Sequence, residues 1–429
     1  MKRFLLPGTV AAAALVLAGC SATGSASESD DPSILTISGW AQKATPEFDL
    51  LAEGFEKSHD GVTVEVTYYD PSEYDTLLTA DLAAGSAPDV IAQKAIVGLP
   101  ALVEGGQLRD VSDIDLPDAV SGTAAYEVDG VPYATPYRQD SWVLFYNKDL
   151  FDEAGVEYPD GTWTWDDYVD VARDLKEGLD AAGTPAKAAY QHLWEGPVQD
   201  TATSQQGKDV LDGEYDYLAP YYERSLLLSE EGLQESFNTV TANQLTYQGE
   251  FGSQRTAMMP MGTWYTGALI QQQESGDADG FAWGIAPLPQ SDESTTGAGA
   301  KPVTFGDPTG FGINTGISEE KQELAKEFLA YAASEDAAMD LANAGIMPAF
   351  TSDDVVGAFL SADTAPDDEL SHRTVTDHDT RSVNVASPRT APVRNILLDL
   401  HTAVMSGSAD IDDAIAEAEE RVANEVGEE

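Results

Sequence analysis

The stretch from Ser33 to Gln93 alternates two hydrophobic periods, and that alternation constrains the fold more than any other feature of the chain. "SILTISGW" and "VTVEVTYY" repeat every second residue, as half-buried strands do, and "APDVIAQ" is a short apolar run of strand length. Between them lie "TPEFDLLAEGFEKSHDG" and "DPSEYDTLLTADLAAG". The first has Thr45 in the N-cap position with Pro46 opening a helix; the second closes at Gly85. Strand, helix, strand, helix, strand predicts a parallel sheet with helical crossovers. Ligands of such sheets lie beyond the carboxyl ends of the strands, which brings Trp40 and Gln42 after the first strand, and Gln93 at the end of the third, into consideration as ligand-binding residues.

Ahead of this sheet stands "MKRFLLPGTVAAAALVLAGC", with Lys2 and Arg3, an apolar run too short to span a membrane comfortably, and small residues before Cys20. The pattern is that of a secretory signal over residues 1–19, and "LAGC" is similar to a bacterial lipobox, which would lipidate Cys20. Cys20 is the only cysteine, so no intramolecular disulfide forms. Residues 20–33 are small, polar and acidic, and are expected to be a flexible tether. The expected location is the outer face of the cell membrane, held there by lipid alone. Removing 19 of 429 residues leaves 410, which suits two domains better than one core. The 75 acidic against 22 basic side chains give a net charge of −53. That surface repels nucleic acid and anionic lipid, which are excluded as partners.

Further along, "VPYATPYRQDSWVLFYNKDLFDEAG" runs from a Pro/Tyr-rich turn into a long apolar strand. "TWTWDDYVDVARDLKEG" begins a helix capped by Thr164, with Asp166 and Asp167 in its first turn. "TGFGINTGISEEKQELAKEFLAYAAS" passes from strand to helix at Ser318, and an amphipathic acidic helix closes the chain. Trp163 and Trp165 are expected to pack the helix start. Met258, Met259 and Met261 are expected to fill core. "HRTVTDHD", His372 to Asp379, matches no standard metal spacing and is expected to be a solvated loop; "GDADG" is too short for a calcium loop. No G-x-S-x-G, H-E-x-x-H or G-x-x-x-x-G-K-[ST] motif occurs. No cofactor and no metal are expected, and the protein is expected to be a monomer without enzymatic activity.

Seven stretches in register carry a family resemblance: "LAEGFEKSHDGVTVEV", "LAAGSAPDVI", "VPYATPYRQDSWVLFYNKDLFDEAG", "TWTWDDY", "FGSQRTAMMPMGTW", "GIAPLPQ" and "TGFGINTGISEEKQELAKEFLAYAAS". Together they resemble the extracellular solute-binding proteins of bacterial ABC importers, in the oligosaccharide group that includes maltose-binding protein. The resemblance implies an α/β periplasmic-binding-protein-like fold, two lobes joined by crossing hinge strands, a carbohydrate gripped in the cleft, and permease subunits as partners. It also implies discontinuous lobes: residues 34–138 with 290–343 in the N-lobe, and 139–289 with 344–429 in the C-lobe. The crossings are expected near "PYRQDSWVL", "APLPQ" and "NAGIMPAF".

A sugar offers an apolar C–H face and a rim of hydroxyls, so its site needs planar aromatics and bidentate acceptors. The resemblance puts Trp264 at the cleft as a stacking platform and Asp140 at the first crossing as a hydroxyl acceptor. Trp194 and Glu195 are the aromatic and acid of the C-lobe. Gln93 stands where maltose-binding proteins carry an aromatic, a departure that argues for a different sugar. Asp307 in "FGDPTG" and Arg389 in "SPRTAP" are further candidates. Two other readings stay open: a phosphorylated polyol such as a glycerophosphodiester, for which Arg138 and Arg389 are the available cations, and a cell-surface glycosidase, which uses paired carboxylates and aromatic platforms too. A surface adhesin would share the anchor and tether but has no need of a cleft.

Overall fold

The computed structural model describes residues 31–40, 46–297 and 299–427. Thr45, Gln42 and Cys20 lie outside the described residues, so the expectations placed on them have no structural counterpart here.

In chain order the strands are β1 (Ile34–Trp40), β2 (Thr63–Tyr69), β3 (Val90–Gln93), the short hairpin β4 (Glu127–Val128) and β5 (Val131–Pro132), β6 (Thr135–Gln139) and β7 (Trp142–Asn147). They continue with β8 (Lys187–Ala189), β9 (Thr256–Gly262), β10 (Trp283–Pro287), β11 (Val303–Phe305), β12 (Pro308–Ile313) and β13 (Asp379–Arg381). Two principal sheets result. One has the order β2-β1-β3-β12-β6, with β1 parallel to β2 and β3 as the alternation requires, and β12 antiparallel to both β3 and β6. The other has the order β10-β7-β9-β8. The chain folds into the two α/β lobes of a periplasmic-binding-protein-like architecture.

The helices follow from apolar spacing. In Glu47–Ser58, Phe48, Leu51, Ala52 and Phe55 fall on one face and are buried against the first sheet. This helix starts one residue later than the sequence suggests, because Pro46 sits at its boundary rather than inside. Helix Tyr74–Ala84 ends at Gly85 in the left-handed region (φ 70°), which glycine adopts without the penalty of a Cβ. Thr164 caps Trp165–Ala182 in a reciprocal box with Asp167, and Ser318 caps Glu319–Ala332 by accepting from the Lys321 amide. Met258, Met259 and Met261 are fully buried. The Trp165 indole donates to Gln205 Oε1 at 2.9 Å, a packing role. The "HRTVTDHD" segment is more ordered than expected: His372 to Thr376 complete helix Glu369–Thr376, and His378 leads into β13.

The chain passes between the sheets three times. The first passage, Asp140–Ser141, joins β6 to β7. The second does not fall at "APLPQ". Gln290 is tied to the C-lobe by paired bonds with the Trp163–Trp165 backbone (3.0 Å each), and its side chain clamps Val303 at both N and O. The chain therefore stays with the C-lobe through β11, which pairs with β13, and passes at Gly306–Asp307 into β12. The third segment runs along the N-lobe longer than "NAGIMPAF" suggests. Met347 O accepts from the Gln139 amide at 3.2 Å, and the Ala349 amide donates to Tyr137 O at 2.9 Å. The Thr351 amide reaches Ala119 O at 3.2 Å before helix Asp353–Phe359 begins.

The first two passages touch backbone to backbone. A Cβ on Gly306 would stand 2.0 Å from the Asp140 carbonyl oxygen, so no other residue fits there unchanged.

Candidate functional site

At the C-lobe edge, β9 ends in Gly262 opposite Trp142, and Thr263 turns the chain into helix Trp264–Ser275. The Trp264 indole folds back across Gly262, where a Cβ would lie 1.9 Å from its ring. The Gly–Thr–Trp order is thus a steric requirement: glycine makes room, threonine anchors, tryptophan covers. Thr263 Oγ1 donates to Asp140 Oδ1 at 2.9 Å and accepts from the Ser141 amide at 3.2 Å. The Thr263 amide donates to Ser141 O at 2.9 Å.

Around Trp264 the C-lobe assembles an aromatic surface. Trp142 meets Trp264 edge-on at 5.5 Å and Trp194 at 6.4 Å; Trp194 and Trp264 are 6.3 Å apart. Tyr247 and His192 pack on Trp194 at 5.6 and 4.4 Å, and Phe305 stacks beneath Trp142 at 5.0 Å. Trp194 is 39% exposed and Trp264 is half-buried. Large apolar faces left in contact with water at a lobe edge are binding surface more than core. Gly196 lets the loop carrying Trp194 and Glu195 lie against Trp142 and Phe305, 3.3 and 3.4 Å from where its Cβ would be.

Glu195 is half-buried beside this surface, and its carboxylate has no side-chain hydrogen-bond partner among the described residues. Burial pushes its carboxyl up, and Asp200 adds to the rise while Arg394 opposes it. Asp200 itself is occupied by Arg394 Nη1 at 2.6 Å. His192 is held neutral by burial, its imidazole pushed down to about 4. The structure therefore brings Trp264, Trp194 and Glu195 together, with one uncommitted acceptor among aromatic faces.

The remaining candidates are placed otherwise. Trp40 is 6% exposed and packs edge-on against Phe48 (4.8 Å) and Tyr74 (5.2 Å); it seals the N-lobe core instead of lining the cleft. Gln93 is 3% exposed, paired against Gly310, and its amide donates to Ile91 O at 3.3 Å, so it too is core. Asp140 is at the first crossing, but its oxygens are engaged by Thr263 and by Arg138 Nε at 2.9 Å, the latter an ion pair without a directed hydrogen bond. The direct hydroxyl-accepting role expected of it gives way to an anchoring one. Asp307 accepts from Ser382 Oγ at 2.6 Å, from the Val383 amide at 3.2 Å and from Asn384 Nδ2, pinning the second passage to the C-lobe. Arg389 precedes helix Thr390–Ser406 and donates from its guanidinium to Leu211 O at 3.3 Å. Trp142, Tyr247 and His192 were not singled out from the sequence. Trp142 alone left a signal, two residues beyond Asp140.

A cavity of about 900 Å³ also lies between the lobes beside the first passage, with Thr263 in its lining. Gln139 and Ser141 line it, whereas Arg138 and Asp140, alternate along the strand, do not. None of Trp142, Trp194, Trp264 or Glu195 reaches it, and without an aromatic wall it lacks what a sugar face needs.

The model of the family described as bacterial extracellular solute-binding protein matches residues 38–339. The chain belongs to this family. A sugar transporter from Rhizobium etli, solved in an open conformation, superposes with a TM-score of 0.79 at 27% identity, covering 91% of this chain and 99% of that one. The arabinooligosaccharide-binding protein of Halalkalibacterium halodurans is 26% identical over 287 residues, 63% of this chain and 59% of its own length. The sn-glycerol-3-phosphate-binding periplasmic protein of Escherichia coli is 29% identical over only 167 residues, 36% of each chain.

Proposed function

We propose that this protein captures an extracellular di- or oligosaccharide between its lobes and presents it to the permease of an ABC importer by hinge closure. The observation that carries the reading is the Trp194–Trp264 surface, exposed at Trp194, half-buried at Trp264 and backed by the buried Trp142, with Glu195, free of side-chain partners among the described residues, beside it. Aromatic faces take the apolar side of a pyranose or furanose ring, and an ionised carboxylate accepts from its hydroxyls. Trp264, Trp194 and Glu195 are assigned to ligand contact, with Trp142 and Tyr247 as supporting walls. Asp140 and Asp307 tie the passages, and the lobes divide where the strands change sheet: Asp140–Ser141, Gly306–Asp307 and the segment around 352.

Family membership supports an extracytoplasmic location. The finer assignment, lipidation of Cys20 and tethering through residues 20–33, rests on the sequence pattern. Replacing Cys20 by Ala should release the protein from membranes. The glycerophosphodiester alternative is disfavoured because Arg138 is committed to Glu47 and Asp140 and Arg389 has a bond to the Leu211 carbonyl.

The test is a thermal-shift panel of arabinooligosaccharides, α-glucans, monosaccharides and glycerol 3-phosphate, since a ligand bound only by the native state raises its midpoint. A sugar should raise it and be recovered uncleaved. A shift with glycerol 3-phosphate alone would replace this reading, and cleavage abolished in a Glu195 variant would make the protein a glycosidase.

A further inference from the structure

The first passage buries more negative charge than a hinge requires. Glu47, the first residue of helix Glu47–Ser58, has a fully buried side chain. Its Oε2 accepts from Arg138 Nη1 at 2.6 Å and from the Tyr137 hydroxyl at 3.2 Å, while Oε1 has no partner among the described residues. Arg138, 14% exposed, also donates from Nη2 to Thr309 Oγ1 on β12 at 3.3 Å, and pairs through Nε with Asp140, 7% exposed. Asp140 continues the chain into the C-lobe through Thr263, the residue before Trp264. One guanidinium thus joins a helix and two strands of the N-lobe to the turn that carries the platform.

Two carboxylates share that single cation, which leaves one negative charge in a water-poor site. Among the described residues the other ionisable groups facing the cluster are Tyr137 and Tyr126 from the N-lobe and Asp49 beside Tyr68, and none of these supplies a second cation. Burial pushes the Glu47 carboxyl up; Asp140's charge adds to this, and Arg138 opposes it. Asp140 is raised by burial as well, with Arg138 and Thr263 opposing.

We propose that Glu47 and Arg138 are positioning residues of the carbohydrate site: Glu47 fixes the guanidinium, the guanidinium fixes Asp140, and Asp140 fixes the Thr263–Trp264 turn, in a register that tightens on uptake of one proton. This rests on Trp264 being the platform. A proton on Glu47 removes the surplus charge and leaves a balanced Arg138–Asp140 pair. Because the folded state raises this carboxyl, it holds the proton at pH values where the unfolded chain has released it. The resulting stabilisation is full in acid and is lost as pH rises through the folded value.

The experiment compares wild type, Glu47→Gln and Glu47→Ala between about pH 4.5 and 8, reading the ligand-free unfolding midpoint and the calorimetric affinity for arabinotriose and maltotriose. The wild-type midpoint should gain on that of Glu47→Gln toward acid. The ratio of wild-type to Glu47→Gln affinity for the binding probe should rise by about threefold or more toward acid, the Glu195 contribution being common to both proteins and cancelling in the ratio. Glu47→Ala should be less stable throughout, as loss of packing predicts. Parallel pH profiles for wild type and Glu47→Gln, in midpoint and affinity, would overturn the proposal while leaving the carbohydrate reading intact. Should neither probe bind wild type, the ligand-free midpoints still decide the proton-linked cluster, and the panel above decides the carbohydrate.

Discussion

The two lobes present opposite kinds of edge toward the cleft. In the N-lobe, the strand-end residues Trp40 and Gln93 turn into the core, where Phe48, Tyr74 and the β12 backbone cover them. In the C-lobe, Trp194, Trp264 and Glu195 turn out, and a second layer of Trp142, Phe305 and Tyr247 supports them from behind. An aromatic residue at the end of a strand is therefore ambiguous until its neighbours are known. Both have a glycine ahead, but Gly262 makes room for the Trp264 ring itself to fold across the backbone, whereas Gly39 makes room for Phe48. In the proposed reading the recognition surface is asymmetric, with the C-lobe carrying the stacking chemistry.

The sharpest challenge to this contrast is to truncate one tryptophan from each edge. Trp40→Ala should cost about 3 to 5 kcal/mol of stability, the range for large-to-small changes in a sealed core, while the folded fraction still binds sugar normally. Calorimetric unfolding with a parallel binding titration checks both halves. Trp264→Ala should do the reverse, losing about 2 to 4 kcal/mol of binding free energy, as for interface hot spots, with little change in the ligand-free midpoint. If the Trp264 variant collapses and the Trp40 variant loses only affinity, the two edges have been assigned the wrong way round.

A finer probe is Glu195. Its raised carboxyl protonates at a higher pH than an ordinary glutamate, so wild-type affinity should fall as pH drops through that raised value. Glu195→Gln should bind about 1 to 3 kcal/mol more weakly at neutral pH and show none of that acid dependence, since a hydrogen bond to a charged acceptor is the one lost. Affinity titrations at a series of pH values decide it, and a wild-type profile parallel to the variant's would remove Glu195 from the site. The smallest effect belongs to the buried strand between the edges. Met259→Leu conserves volume and should cost under about 1.5 kcal/mol of stability with unchanged affinity.

The sequence made local elements legible because their signals are local. Gly85, Thr164 and Ser318 end or start helices through contacts within a few residues, and each does so in the structure. Burial at the cleft is a long-range property. Gln93 is covered by β12, more than 200 residues away in the chain, and Asp140 is consumed by Arg138 and Thr263. The second passage was misplaced for the same reason: nothing within "APLPQ" announces that Gln290 will be clamped by Trp163 and Val303. Glu47 left no sequence signal either, being one acid among 75.

The contact between Gly306 and the Asp140 carbonyl has a mechanical meaning. Two straps held apart by side chains could twist and slide separately, giving the lobes several independent ways to move. Here the straps bear directly on each other, and the Gln139 side chain staples them, its Nε2 donating to both Gly306 O (3.0 Å) and Asp140 O (3.1 Å). They bear on each other as one joint, so a bend at either passage presses on the other.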